Sequence, residues 1–199
     1  MKRAPIVAPI VEGHGEVAAV RQLITRIGER HAVWIEVAQP FRLDSAKMRK
    51  PEELAKAVRL QEVRVKGRTG GVLIIRDGDD SDIQCPVELA RLIAPEAEAF
   101  SVPVEVVIAY HEYEAWILAS ADSLRSHPSV RDNAVAPAEP EAKRNAKAQL
   151  ESMMHESYKE TLHQAKFSSM IDLAMASEKS RSFRRMMHAV EKLIGLPGS

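Results

Sequence analysis

Three hydrophobic runs in this chain each end in a group of acidic residues. The runs cover residues 6–11, 72–75 and 104–110, and they are followed by Glu12 and Glu16, by Asp77 and Asp79, and by Glu112 and Glu114. If the runs are neighbouring parallel strands, their carboxyl groups meet at one edge of the sheet, where α/β folds bind ligands. Crowded carboxylates repel one another unless a proton or a hard cation lies among them. This pattern predicts both a parallel sheet and a metal site at its edge.

Strand-like and helix-like stretches alternate up to about residue 126, which is typical of an α/β domain with a Rossmann-like core. Strands are predicted at residues 5–11, 32–37, 72–76 and 104–110, giving a parallel sheet of about four strands flanked by helices. The stretch 41–50 is interpreted as a loop. A helix is expected to begin at Pro51, with Leu54, Val58 and Leu60 on its buried side. A later helix is predicted from Glu112 to about Leu124.

The pattern changes after Ser126. Residues 127–140 are rich in proline and alanine and are interpreted as a connection. Residues 141–195 contain helical stretches and no convincing strand, and the clearest is the last one. Its apolar face comprises Phe183, Met186, Met187, Val190, Leu193 and Ile194. We expect two regions, an α/β core over 1–126 and a helical appendage over 127–199 that packs on it.

Composition narrows the class of protein. The 199 residues carry 28 basic and 28 acidic side chains, so no global positive field favours tight, non-specific DNA binding. Cys85 is the only cysteine and excludes an internal disulfide, which favours a reducing cytoplasm. No apolar run is long enough to span a membrane.

Two of the acidic groups are the strongest candidates for metal ligands. Glu12 ends a strand and is followed by Gly13, which permits a tight turn. Asp77 and Asp79 flank Gly78, so both carboxylates can turn toward one cation. The alternatives are that Glu16 only favours a helix N-terminus and that the aspartates form an exposed acidic loop. Glu112 and Glu114 are either further ligands or ordinary acids at a helix start.

Basic residues gather in the appendage and can meet phosphates near such a metal. His111 follows the third acidic strand and is a candidate for phosphate contact. A solvated helix surface is the alternative for the others, which are Lys143, Arg144, Lys147, Lys179, Arg181, Arg184 and Arg185. No P-loop, EF-hand loop or serine-hydrolase elbow is present.

The Glu-Gly-x-x-Glu strand end and the later Asp-x-Asp strand end together resemble the TOPRIM domain of topoisomerases, bacterial primases and overcoming-lysogenization-defect nucleases. The resemblance implies that Glu12, Asp77 and Asp79 hold Mg²⁺ or Mn²⁺ for phosphodiester chemistry. It places Glu16 at the second acid of the nuclease branch. Asp80 and Asp82 follow the aspartate pair where TOPRIM patterns carry a glycine, so strand-passage or primase activity is not expected.

A closer resemblance covers nearly the whole chain. The Glu-x-Glu-Ala-Trp string at 112–116 resembles a bacterial TOPRIM-like family, domain-of-unknown-function family 4276. Further matching strings are at 145–147, at 158–164 and at 182–185. Members of that family resemble the TOPRIM parts of phage-defence nucleases, and some lie beside ATPase genes. No established substrate comes with this resemblance. We expect a nucleic-acid substrate, DNA before RNA, and an ATPase partner, and a homodimer stays open.

These observations lead to one main hypothesis and two rivals. In the main one, a metal-dependent nuclease, Glu16 activates water or binds a second ion, and Glu112 and Glu114 support the metal. Phosphate or transition-state contacts are assigned to Lys147, Arg181, Arg184 and Arg185. The rivals are a non-catalytic partner module of an ATPase complex and a small-molecule phosphohydrolase, whose Asp-x-Asp would instead follow the first strand.

Overall fold

A five-stranded parallel sheet forms the centre of the protein. The computed structural model describes residues 3–80, 82–83, 85–142 and 144–196. The strand order is β2-β1-β4-β5, and β3 pairs with β1 beyond the end of β2. The strands are β1 (Ile6–Val11), β2 (Glu36–Val37), β3 (Phe41–Arg42), β4 (Gly70–Asp77) and β5 (Val104–Ala109). The α/β prediction is confirmed, with one strand more than expected.

The extra strand arises because one side of β1 is shared by two very short strands. Ile6 and Val7 pair with β2, whereas Ile10 and Val11 pair with β3. Pro9 lies between these pairs, and proline has no N–H to donate to a ladder. The predicted second strand at 32–37 is therefore reduced to its last two residues. The stretch predicted as a loop from residue 41 contains β3 and the short helix α2 (Ser45–Met48).

A buried glutamine fills the break between β2 and β3. Gln61 is 1% exposed, and its side-chain Nε2 donates to the carbonyl of Pro9 at 2.6 Å and to that of Gln39 at 3.0 Å. The carbonyl of Pro9 would otherwise lie in the interior without a strand partner, which is costly. The side chain of one helix residue thus replaces a missing ladder bond.

This role corrects the predicted buried face of the helix that begins at Pro51. The helix, α3 (Pro51–Val65), buries Leu54, Val58, Gln61 and Val65, which follow the helical repeat. Leu60, predicted to be buried, is 57% exposed because it lies about 100° around the axis from Gln61. At this position the helical repeat, and not the hydrophobicity of the residue, determines which side chain is buried.

The helices cover both faces of the sheet. One face packs against α3 and α4 (Pro86–Ile93), while the other packs against α1 (Glu16–Arg30), α9 (Arg181–Leu193) and much of the C-terminal region. The predicted apolar face of the last helix is buried as expected. The remaining helices are α5 (Glu114–Leu118), α6 (Ala146–Ser152), α7 (Ala165–Ser168) and α8 (Leu173–Lys179).

Short turns complete the C-terminal half. The helix predicted from Glu112 is shorter than expected, since α5 ends at Leu118 and a 3-10 turn covers Ala121–Leu124. A single π-helical turn covers Glu160–Gln164, just before α7. Within the described ranges, no helix is long and apolar enough to cross a membrane.

Candidate acidic site at the sheet edge

Four carboxyl groups from three strand ends interact at the carboxyl edge of the sheet. Glu12 follows β1, Glu16 begins α1, Asp77 ends β4, and Glu114 begins α5 after β5. β1, β4 and β5 are adjacent and parallel, so their ends meet as the sequence predicted. We call Glu12, Glu16, Asp77 and Glu114 the acidic cluster.

Glu16 lies in the interior and is held by the turn before it. It is 4% exposed, and its Oε2 accepts a hydrogen bond from the backbone N–H of Glu12 at 3.2 Å. A Cβ at Gly13 would lie 2.9 Å from Glu16 Oε1, so the glycine provides the space that this carboxyl needs. Burial, followed by the charges of Glu12 and Glu114, raises the pKa of Glu16 from 4.5 to about 8.

Asp77 connects the end of β4 to the turn after β5. Its Oδ1 accepts a hydrogen bond from the backbone N–H of Tyr113 at 2.8 Å. Desolvation raises the pKa of Asp77 well above its ordinary value, and the charges of the other three members add to the effect. The bond from Tyr113 offsets only part of this, so the ionised form of Asp77 is strongly disfavoured.

Glu114 is held by the C-terminal half of the chain. It is 2% exposed, and its Oε1 accepts from Tyr158 Oη at 3.0 Å and from Gln164 Nε2 at 3.4 Å. Burial raises its pKa, and the positive charge of Lys147 lowers it in part. Residues beyond 126 therefore fix one of the four carboxyl groups.

Glu12 has an unsatisfied oxygen. Its Oε2 is buried and has no hydrogen-bond partner within the described chain, and Arg76 Nε lies 3.7 Å from it. Burial raises the pKa of Glu12, while a hydrogen bond from Ser45 and the charge of Arg76 lower it in part. An electron-rich oxygen in this state is suited to a hard cation.

Arg76 is a residue of the site that the sequence analysis did not single out. It is 3% exposed, and its Nη2 bonds to Asp80 Oδ2 at 2.7 Å. Asp80 also accepts from the backbone N–H groups of Asp82 and Ile83, so it fixes the loop and orients the arginine. A cation directly between an apolar run and the aspartate pair was the available signal. Arg76 places a permanent positive charge beside the acidic cluster.

The other predicted acids lie outside the acidic cluster. Asp79 points to the surface, where Arg144 Nη1 approaches its Oδ1 at 2.8 Å. Glu112 Oε2 accepts the backbone N–H of Lys147 at 2.9 Å and so positions the start of α6. The structure thus separates Asp77 from Asp79, although the sequence pattern groups them.

Among the predicted phosphate contacts, Lys147 is the one that acts on the acidic cluster, through Glu114, and its ammonium group pairs with Glu160. Arg184 donates to the carbonyl of Ser177 at 2.6 Å, and Arg185 pairs with Glu105 at 3.3 Å. Arg181 lines a cleft beside β5. Lys143 lies outside the described residues.

His111, two residues after the end of β5, has a left-handed backbone conformation with φ of 65°. Its ring packs on that of Tyr110, with centroids 4.3 Å apart. Left-handed conformations are uncommon outside glycine, asparagine, aspartate and histidine. This turn brings the chain back toward Asp77, where Tyr113 forms its bond.

The acidic cluster has the ligand chemistry of a magnesium or manganese site but not a complete ligand arrangement. Within the described part of the chain, no group of three or more His, Cys, Asp or Glu side chains is placed to hold one ion. The Glu12 oxygen that accepts no hydrogen bond and the unfavourable ionisation of the neighbouring carboxyls nevertheless fit a hard cation. Glu12, Glu16 and Asp77 would hold such an ion only after their side chains moved closer together.

Comparison with known proteins gives a family. The model of the family described as a domain of unknown function (DUF4276) matches residues 11–191. No curated protein and no solved structure matches the chain. The matched range includes all four members of the acidic cluster and the C-terminal residues that hold Glu114. The chain therefore belongs to the DUF4276 family.

Proposed function

We propose that this protein is a metal-dependent phosphodiesterase with a TOPRIM-like core, acting as a nuclease on DNA before RNA. The observation that carries the proposal is the acidic cluster, in which carboxyl groups from three strand ends disfavour one another's ionised forms. A divalent cation removes that conflict. The adjacency of β1 and β4, which brings Glu12 beside Asp77, supports the TOPRIM-like assignment.

The residues of the cluster take distinct roles in this proposal. Glu12, Glu16 and Asp77 hold Mg²⁺ or Mn²⁺, and such an ion polarises a phosphoryl oxygen or activates water when bound. Glu114 limits the movement of the cluster, because Tyr158 and Gln164 hold its carboxyl. Arg76 keeps the Glu12 side of the cluster from accumulating uncompensated negative charge.

The phosphate contacts follow from the same geometry. Lys147 is placed to meet a phosphate near Glu114, and Arg144 is placed to do so near Asp79. Both side chains already contact a carboxylate, so a phosphodiester would compete for existing ion pairs. We therefore propose that Lys147 and Arg144 position the sugar-phosphate backbone of the nucleic acid. A role in phage defence together with an ATPase remains part of the proposal through the family resemblance.

One observation favours a second function. The described acids do not form a complete metal-ligand set, and Asp79 is engaged by Arg144. A non-catalytic partner module of an ATPase complex, in which the acidic cluster is protonated and structural, accommodates that arrangement. Metal-dependent cleavage and a metal-induced change in melting temperature distinguish the two functions.

A cleavage assay tests the proposal. Single-stranded, duplex and supercoiled DNA and RNA are incubated with Mg²⁺, Mn²⁺ or EDTA, using wild type, Glu12→Gln and Asp77→Asn. The exposed variant Asp132→Asn is the charge-matched control. We expect cleavage that requires metal, is lost in the two cluster variants and is kept in the control. Absence of cleavage together with absence of any metal-induced change in melting temperature supports the partner module instead.

A further inference from the structure

Strand β5 forms an open edge of the sheet. It pairs with β4 on one side, and no described strand pairs with its other side. The hydrogen bonds from Val72 N to Pro103 O and from Gly78 N to Ala109 O fix the phase of the β4–β5 ladder. Because parallel ladders use alternate residues, Val104, Val106 and Ile108 direct their N–H and C=O groups away from β4.

The open edge has a defined end. The backbone N–H of Tyr110 also points outward, and it donates to Ser182 Oγ at 3.1 Å. The free part of the edge therefore covers Val104 to Ile108. An unpaired edge of this kind is a template for an added strand unless the fold covers it.

A cleft of about 1120 Å³ runs along this edge between α4 and α9. These helices pack on opposite faces of the sheet, so the edge of β5 forms the floor of the cleft. Val87 on α4 lines the cleft and is 55% exposed. The cleft therefore offers apolar side-chain contact beside a row of backbone donors and acceptors.

The charge of the cleft is positive. Its described lining has five cationic side chains and three carboxylates. The cations are Arg91, Lys179, Arg181, Arg185 and Lys192. Within the described chain, the guanidinium groups of Arg91 and Arg181 take part in no hydrogen bond or ion pair. Two cations at the rim are therefore available to a ligand.

Two of the three carboxylates are already engaged by the protein. Glu105 pairs with Arg185 at 3.3 Å and with Lys192 at 2.5 Å. Glu141 accepts the backbone N–H groups of Arg181 and Ser182 at 3.0 Å each. Two of the five cations compensate Glu105, and neutral donors stabilise Glu141, so the lining keeps a net positive charge and attracts negative groups.

We propose that this cleft binds an extended acidic peptide segment of a partner protein, which adds as a strand beside β5. Main-chain hydrogen bonds to Val104, Val106 and Ile108 would supply affinity, and alternate acidic side chains would meet the rim cations. A nucleic acid is disfavoured because it lacks the peptide repeat of donors and acceptors. A second copy of β5 is disfavoured because it would bring the same cations into the cleft.

A labelled peptide of alternating valine and glutamate is the probe. Its affinity is measured by fluorescence anisotropy, beside two forms methylated on opposite sets of alternate backbone amides. In one form the methyl groups face β5, and in the other they face away. We expect binding that falls by about tenfold or more in one methylated form only. Equal affinity of both methylated forms overturns the proposal.

Protein variants give an independent check. Val106→Pro removes one outward N–H, and proline is accepted in an edge strand when that side faces solvent. Arg91→Glu tests the rim charge, and Arg64→Glu, exposed on α3, is its matched control. We expect the first two to weaken peptide binding and the control to leave it unchanged. If Val106→Pro fails to fold, the two methylated peptides decide the question.

Other occupants are outcomes of the same experiment. Displacement of the peptide by a single-stranded oligonucleotide of equal charge would show a nucleic-acid path and overturn the proposal. So would self-association in sedimentation that Val106→Pro abolishes, because it would assign the edge to a second copy. Absence of binding at about 1 mM peptide also rejects it.

Discussion

The backbone N–H of Glu12 donates to the carboxyl of Glu16 at 3.2 Å, so the residue that ends β1 holds the first side chain of α1 beside its own carboxyl. The bond keeps two acidic groups close at a site where both have raised pKa values. The stability of the metal-free protein is consequently sensitive to pH.

Glu16→Gln should flatten the pH dependence of stability in EDTA. The pKa of Glu16 in the folded protein, about 8, exceeds its ordinary 4.5. The protonated Glu16 carboxyl therefore contributes its full stabilisation of the folded protein below pH 4.5, and this contribution is lost as pH rises through about 8. Glutamine resembles the neutral form at every pH. Urea unfolding at about pH 5 and about pH 9 should show a wild-type loss that exceeds the variant's by about 1 kcal/mol or more. Parallel profiles of the two proteins would contradict the burial of an ionisable Glu16.

Asp77→Asn should separate stability from metal binding. Removing a disfavoured charge should raise the melting temperature of the metal-free protein above neutral pH, and it should abolish the melting shift produced by Mn²⁺. Asp79→Asn should keep most of that shift, because Asp79 is at the surface beside Arg144. Scanning fluorimetry with and without Mn²⁺ measures both effects, with Asp132→Asn as control. An equal loss of the shift in Asp79→Asn would place both aspartates at the metal.

Gln61→Leu should destabilise the protein by about 1–3 kcal/mol, because the carbonyls of Pro9 and Gln39 lose their buried donor. Gln22→Leu, on the exposed side of α1, is the matched control and should stay within about 0.5 kcal/mol of wild type. Chemical denaturation measures both free energies of unfolding. Equal stability of the two variants would show that Gln61 is not needed to bridge β2 and β3.

Gly15→Ala should destabilise the protein by about 1–3 kcal/mol through overpacking. The added Cβ would overlap the side-chain oxygen of Gln164 and lie 2.9 Å from the Cβ of Glu160. In the Gln164→Ala background the same change should cost less, since one obstacle is gone. A double-mutant cycle in urea quantifies the coupling. Additive effects would mean that Gln164 moves aside at no cost.

The sequence predicted the elements whose signals are local. The apolar runs that end in acids gave the positions of β1, β4 and β5, and the period of the last helix gave its buried face.

Other features depend on distant contacts and left no local pattern. β3 has two residues and exists because Pro9 interrupts the pairing of β1 with β2. From the sequence alone, Gln61 resembles a polar surface residue, because nothing in the sequence shows that the carbonyl of Pro9 lacks a strand partner. Asp77 contacts Tyr113, whereas Asp79 contacts Arg144, and both partners are remote in sequence.

The shared interior has a consequence for how such a chain can evolve. The apolar cluster on the α1 face of the sheet combines residues from β1, β4 and β5 with residues from α6 to α9. Glu114 is in turn held by Tyr158 and Gln164 from the same C-terminal half. Recombination that exchanged the C-terminal half alone would expose the interior and release a carboxyl of the acidic cluster. We therefore expect the α/β part and the C-terminal helices of such a chain to be inherited together.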